Sequence, residues 1–155
     1  MTRQRTNDFI VRNMTRRDIP QTLELMRGLA RFEGYIDDFK MDADTLVKWA
    51  VEDDGFIVFV AARADEILAY ASCYVISYTY DQKPTLVLKE LYAKPAARGD
   101  GVAKAIFTAV KDKARALGAA RLHWLVLPDN ERAQKFYQKH GGRESKAWQN
   151  WEITF

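Results

Sequence analysis

Apolar and polar positions change their spacing several times along this chain, and each change marks an element. Residues 9–14 read as a first strand. Helical spacing follows, with Leu23, Met26, Leu29 and Ala30 on one stripe and Asp18 placed to cap the helix. Asp42 is placed to cap a second, short helix that turns Leu46, Val47 and Ala50 inward. Asp54-Gly55 breaks this pattern, residues 56–63 read as a strand, Ala64-Asp65 as a turn, and residues 67–80 as a long second strand of a hairpin. Asp81-Gln82-Lys83-Pro84 turns the chain again before the apolar run at residues 85–93. A third helix sets Val102, Ile106, Val110, Ala114 and Leu117 on one stripe and stops at Gly118. Residues 121–127 read as a buried strand. A fourth helix, opened by residues 128–133, runs to His140 and closes at Gly141-Gly142, and a last strand holds Trp148 and Trp151. The order of elements is strand, helix, helix, three strands, helix, strand, helix, strand, which predicts an α/β class with a mixed sheet.

At 155 residues the chain is long enough to bury a real core and short enough for one domain, and its 48% apolar and 29% charged residues are those of a globular protein. No apolar run reaches the ~18 residues of a membrane span, and residues 1–8 are polar, read as flexible, and lack the apolar stretch of a signal peptide. The single cysteine, Cys73, excludes an internal disulfide, suits a reducing cytoplasmic setting and reads as a small buried hydrophobe. His123 and His140 make no metal constellation with it, so no metal is expected; both read as structural. The net charge of +3 is small and carries no basic aromatic stripe, which argues against a nucleic-acid partner. Its distribution says more: Glu33, Asp37, Asp38, Asp42 and Asp44 stand against Lys40 alone, whereas Lys94, Arg98, Lys104, Lys111, Lys113, Arg115 and Arg121 stand against Asp100 and Asp112. One acidic and one basic rim suit a cationic substrate and an anionic cofactor.

The segment Arg98-Gly99-Asp100-Gly101-Val102-Ala103 sits between the apolar strand and the third helix. Glycines in such a turn let backbone N–H groups approach a phosphate with no Cβ in the way. The helix behind them adds roughly half a positive charge, and Arg98 supplies a whole one. No Gly-Lys-Ser/Thr closes the segment, so it is not a Walker loop, and its spacing is not that of the dinucleotide fingerprint.

This turn resembles the pyrophosphate-binding turn of the GNAT N-acetyltransferases, which hold acetyl-coenzyme A. Its company agrees: a strand, Asn130 at a helix start, Phe136-Tyr137 within that helix and a closing glycine resemble the C-terminal half of that family. Ile10-Val11-Arg12, Thr15 to Ile19, Leu29-Ala30-Arg31-Phe32-Glu33 and Glu90-Leu91-Tyr92 extend the likeness to nearly the whole chain. Within the superfamily it is most similar to the spermidine/spermine and thialysine acetyltransferase branch. The resemblance implies one GNAT domain over residues 1–155, with helices flanking a mostly antiparallel sheet whose fourth and fifth strands splay apart around the pantetheine arm. It also implies acetyl-CoA as co-substrate and a homodimer to which the C-terminal strand contributes.

The same resemblance assigns roles. Leu91, Tyr92 and Ala93 are expected to pair through their backbone with the pantetheine amides, like an added strand. Arg98, Gly99, Asp100, Gly101, Val102, Ala103 and Lys104 would surround the pyrophosphate. Tyr137, seven residues after Asn130 and on the same side of the helix, matches the family tyrosine that points at the cofactor sulfur; from periodicity alone it also fits a core aromatic beside Phe136. Asn130 reads as a helix cap that also contacts the cofactor. Glu33 matches an acid of the family's substrate site, and Tyr80 falls near an aromatic of its pocket wall; a solvated helix-end acid and a strand aromatic are the plainer alternatives. The polyamine acetyltransferases it resembles carry adjacent acids, Glu-Asp, where this chain has Lys89-Glu90. The first is replaced by a cation, and Glu90 is left as the candidate catalytic acid, although neighbouring strand residues point to opposite faces unless a bulge intervenes.

Acetyl transfer to an amine needs a deprotonated nitrogen, because free alkylamines titrate near ~10, a donor for the oxyanion, and a proton for the departing thiolate. No covalent intermediate is required, so Cys73 is not needed as a nucleophile. The expected function is acetylation of a small primary amine: a diamine, a polyamine or a lysine-like amino acid. A protein or peptide amine, and a non-catalytic coenzyme A sensor, remain as alternatives.

Overall fold

The computed structural model describes residues 8–53, 55–77 and 80–155. Residues 1–7 of the expected flexible start at 1–8, the break residue Asp54, and Tyr78 and Thr79 of the long strand lie outside them. The chain divides into two compact units, Met1–Trp124 and Leu125–Phe155.

In the first unit β1 (Ile10–Asn13), β2 (Ile57–Arg63), β3 (Glu66–Ile76), β4 (Thr85–Ala93) and β5 (Arg121–His123) form one sheet in the order β1-β2-β3-β4-β5. All pairings are antiparallel except the last: β5 lies parallel to β4, with Thr85–Val87 opposite Arg121–His123. Helices α1 (Ile19–Glu33), α2 (Ala43–Val47) and α3 (Val102–Ala116) complete the unit, and α2 continues into one turn of π-helix at Lys48–Glu52. Strand β2 is buried from Val58 to Ala62 and β3 from Ile67 to Cys73, so both faces of the central strands are covered. Val58, Val60, Ala62 and Tyr70 pack with Leu23, Met26 and Leu29 of α1. Phe59 and Ala61 point the other way, as alternate strand residues must, into the layer built with Ile106 and Val110 of α3.

Local chemistry explains most boundaries and corrects some expectations. Asp42 caps α2 as read, its Oδ1 accepting from the Thr45 N–H at 2.8 Å. Asp18 does not cap α1 with its side chain. Its carboxylate is taken instead by the Arg12 guanidinium at 2.6 and 3.0 Å and by the N–H and hydroxyl of Thr15, so it ties β1 to the turn before the helix. The α3 stripe is inward as expected except at its end, where Leu117 is about a third exposed; Phe107 is buried in addition. Strand β5 is shorter than the expected residues 121–127, because its ladder with β4 stops at His123.

The second unit holds α4 (Glu131–Lys139), capped by Asn130, whose Oδ1 accepts from the Ala133 N–H at 3.1 Å. The Gly142 N–H returns to the Tyr137 carbonyl at 2.7 Å and closes the helix. His140 lies in its last turn with its ring 4.7 Å from that of Phe136. The expected final strand is absent among the described residues: residues 143–155 join no ladder, and Trp148 and Trp151 are almost fully exposed. An apolar pattern makes a strand only where a partner supplies backbone hydrogen bonds. No helix among the described residues is long and apolar enough to cross a membrane.

Candidate active site

The site in the first unit begins with an irregularity in the β3–β4 ladder. Ser72 pairs with Glu90, yet the next residue, Cys73, pairs with Leu88. Lys89 is therefore one residue too many, a bulge that locally cancels the alternation of sides. Lys89 and Glu90, which a regular strand would send to opposite faces, both act electrostatically on Glu33 at the end of α1. The Glu33 carboxyl is pushed above the ordinary range, first by burial and then by the charge of Glu90, while Lys89 pulls it back.

Glu90 is fixed from below. Its Oε2 accepts from the Tyr70 hydroxyl at 3.2 Å and from the Ser72 hydroxyl at 3.1 Å. Both donors stand on the same side of β3, two residues apart; Tyr70 is fully buried and Ser72 nearly so. Burial and the adjacent Glu90 push the Tyr70 phenol far up, so it stays a neutral donor. Tyr35 follows the Gly34 that ends α1, where φ of +85° favours glycine. Its phenol is pushed up to about 12 by burial, then by Glu90 and Glu33. Glu33 thus feels the charges of both Glu90 and Lys89, and the phenols of Tyr35 and Tyr70 feel those of Glu90 and Glu33, where α1 ends. Tyr80, expected near this wall, is 83% exposed in the turn between β3 and β4. Tyr35, Tyr70 and Ser72 were missed from the sequence. The available signal was Ser72, a hydroxyl inside an otherwise apolar strand.

Beyond the bulge, β4 is hydrogen-bonded on one side only. Leu91, Tyr92 and Ala93 pair with Ala71, Tyr70 and Ala69, whereas the β5 ladder ends at Val87. This is the splay expected between the fourth and fifth strands, and among the described residues no strand of the unit pairs with the other edge of residues 91–93. Tyr92 turns its ring against α1, where a Cβ on Gly28 would meet its hydroxyl at 2.9 Å, and Arg98 holds its guanidinium 5.8 Å from the centre of the same ring.

The turn after β4 has the form expected of an anion cradle. Gly99 (φ +87°) and Gly101 (φ +78°) both adopt the left-handed backbone, and a Cβ on either would meet no protein atom within 4 Å. The first bond of α3 runs from the Ala105 N–H to the Gly101 carbonyl, so the N–H groups of Val102, Ala103 and Lys104 precede the ladder. Val102 offers only its backbone there, because its side chain is buried in the core. The Asp100 carboxylate lies 3.8 Å from the Arg63 guanidinium. N–H groups ahead of the helix ladder, open space beside two glycines and a strand edge that no strand among the described residues pairs fit a pyrophosphate and a linear amide arm. Cys73 is buried and its thiol is pushed up to about 12 by burial, which denies it a nucleophile's role at neutral pH.

In the second unit, Asn130 and Tyr137 lie almost two turns apart on α4, and the Tyr137 ring stands edge-on to Phe136 at 5.3 Å.

Comparison with known proteins agrees with this arrangement. Residues 22–142 match the acetyltransferase (GNAT) family, a span that crosses the boundary between the two units. A thialysine N-epsilon-acetyltransferase of Bos taurus is 27% identical over 155 aligned positions, covering 92% of this chain and 88% of the relative. The protein of the same name in Sus scrofa is 23% identical, with the same coverage. Among solved structures, an aminoglycoside acetyltransferase from an uncultured soil metagenomic sample superposes with a TM-score of 0.81 at 20% identity, over 97% of this chain and 98% of that one. The chain belongs to the GNAT acetyltransferase family and is an enzyme that transfers acetyl groups to amines.

Proposed function

We propose that the enzyme moves an acetyl group from acetyl-CoA to a primary amine of a small molecule, within the class of diamines, polyamines and lysine-like amino acids, and that it favours acceptors that also carry a carboxylate. The electrostatic coupling of Glu33, at the end of α1, to both Glu90 and Lys89 carries this reading. A Glu33 carboxyl whose ionisation is made costly by burial and by the charge of Glu90 is relieved by an ammonium beside it, and a fixed cation nearby suits a carboxylate on the same acceptor. The thialysine N-epsilon-acetyltransferases among the relatives are named for an acceptor of that kind.

Acetyl-CoA, when bound, supplies a thioester carbonyl open to direct attack. The chain's residues do the rest. Arg98 and the turn through Gly99, Asp100 and Gly101, with the N–H groups of Val102, Ala103 and Lys104, hold the pyrophosphate. The free edge of Leu91, Tyr92 and Ala93 aligns the amide arm, and Asn130 adds a contact from the start of α4. Glu90 takes the proton from the bound ammonium through Oε1, the oxygen not engaged by Tyr70 and Ser72, while Glu33 holds the charge of the arriving amine. The amine nitrogen forms the new C–N bond as the C–S bond breaks and gives its second proton to water, while Tyr137 gives its proton to the leaving sulfur and takes one back from solvent. Both substrates are present together, so Cys73 has no part.

The reading includes a homodimer, since Trp148, Trp151, Ile153 and Phe155 expose an apolar segment, and a cytoplasmic enzyme with a reduced Cys73. The test is free-thiol release from acetyl-CoA against a panel of amines. Amino acids bearing a side-chain amine should turn over fastest, diamines more slowly, and peptides least. Activity confined to peptide amines, or none with any amine despite cofactor binding, overturns it.

A further inference from the structure

We infer that Tyr70 and Ser72 are positioning residues for catalysis, which occupy Oε2 of Glu90 and so hold Oε1 towards the acceptor amine. The inference rests on the proposed role of Glu90 as the group that receives the amine's proton.

The geometry is specific to one oxygen. Both hydroxyls reach Oε2, at 3.2 and 3.1 Å, and neither reaches Oε1. They come from alternate residues of β3, so the strand's own two-residue repeat sets their separation. Register does the rest: Ser72 lies directly opposite Glu90, and Tyr70 opposite Tyr92, one step further on the same side. The donors cannot drift. Tyr70 is fully buried in the core that α1 closes, and Ser72 is 4% exposed. A carboxylate next to a bulge has no regular ladder to fix its direction, and two hydroxyls fixed by the core supply that direction.

Energetically the arrangement is asymmetric. A buried hydroxyl without an acceptor is costly, so both groups keep Glu90 as their partner once the strand is formed. A carboxylate free to rotate spends part of its time with neither oxygen aligned on the nitrogen, and proton transfer needs heavy atoms within hydrogen-bond reach. Fixing one oxygen removes that freedom before the substrate arrives.

The experiment compares Tyr70→Phe, Ser72→Ala and the double variant, each in the parent enzyme and in Glu90→Gln, with steady-state kinetics for both substrates. In the parent background kcat should fall roughly tenfold for either single change and further for the double, with the KM for acetyl-CoA unchanged. Ser72→Thr keeps the hydroxyl and should restore most of the rate lost in Ser72→Ala. In the Glu90→Gln background, Tyr70→Phe and Ser72→Ala should cost little more, because the group they orient is gone. Equal losses in both backgrounds, or a rise in the KM for acetyl-CoA in step with the fall in kcat, mark a structural role and overturn the inference. Full activity in Glu90→Gln overturns the role of Glu90 itself. A large loss there with no effect of the hydroxyl changes overturns only the positioning. Should Tyr70→Phe not fold, Ser72→Ala and its threonine rescue decide alone.

Discussion

The charge of Glu90 raises the pKa of Glu33 across the gap between the end of α1 and the β4 bulge, adding to the effect of burial, while Lys89 opposes it. This coupling is measurable without any substrate. Glu90→Gln should move the Glu33 carboxyl back towards the ordinary carboxylate range, and Lys89→Glu should move it further up. Carboxyl carbon titration by NMR, with Glu33 assigned, checks both directions. A Glu33 titration indifferent to both substitutions contradicts the arrangement.

Asp18 bears on stability rather than catalysis. The Arg12 guanidinium holds its carboxyl at about 2, with the Thr15 N–H and hydroxyl helping and burial opposing. A carboxyl depressed in the folded state stabilises the protein wherever the unfolded chain would also be ionised. The contribution is therefore complete above about pH 5 and is lost as the pH falls towards 2. Its size is roughly 2 kcal/mol. Asp18→Asn should lose that amount at pH 7 and show a flatter decline between pH 5 and pH 2. Urea midpoints measured across that range decide it, and parallel curves for the two proteins count against the assignment.

The sheet was legible in the sequence because its central strands are buried on both faces. Runs such as Val58–Ala62 and Ile67–Cys73 have no polar interruption large enough to disguise them. The glycine turn after β4 was legible for another reason, since left-handed φ at Gly99 and Gly101 demands glycine by name. The bulge at Lys89 carries no glycine or proline to announce it; it is a property of two strands in register, which one strand's composition does not encode. Tyr70 and Ser72 were hidden in the same way, as members of an apolar strand whose partner is twenty residues away. The last strand failed for the opposite reason: the pattern around Trp148 and Trp151 supplies apolar residues, but a ladder also needs a second strand.

Gly101 should be intolerant for function and tolerant for folding. A Cβ there meets no protein atom within 4 Å, so the space it would fill is the space assigned to the pyrophosphate. Gly101→Leu should fold, at a cost of about 1 kcal/mol for the left-handed backbone, and should weaken acetyl-CoA binding at least tenfold. Calorimetric titration of the folded variant measures this directly. Unchanged affinity removes the cradle from the site.

Tyr137→Phe should lower kcat by roughly 10²–10⁴-fold, the span of a general acid, with little change in cofactor affinity. The decisive readout is the leaving group. An acyl donor whose thiol is more acidic departs without help, so the loss should shrink with it. A constant loss across donors, or none, returns Tyr137 to the edge-on aromatic pair it makes with Phe136.

Lys89 is the residue proposed to select between acceptors. Its charge reaches Glu33, and the bulge frees it from the alternation that would have sent it to the face opposite Glu90. Two unit charges ~5 Å apart at an effective dielectric near 20 interact by about 3 kcal/mol, and exposure to solvent reduces this to about 1 kcal/mol. That remainder is a factor of several in rate. On the proposed reading, Lys89 should therefore disfavour a second ammonium near the reacting amine and favour a carboxylate. Lys89→Glu should raise the ratio of kcat/KM for a diamine over that for a lysine-like amino acid by roughly tenfold or more, since it removes one charge and installs its opposite. Lys89→Met should change the ratio by about half as much on a logarithmic scale. Raising the salt concentration should compress the difference between all three proteins, because an exposed charge acts through solvent. A ratio unmoved by either substitution excludes Lys89 from acceptor selection.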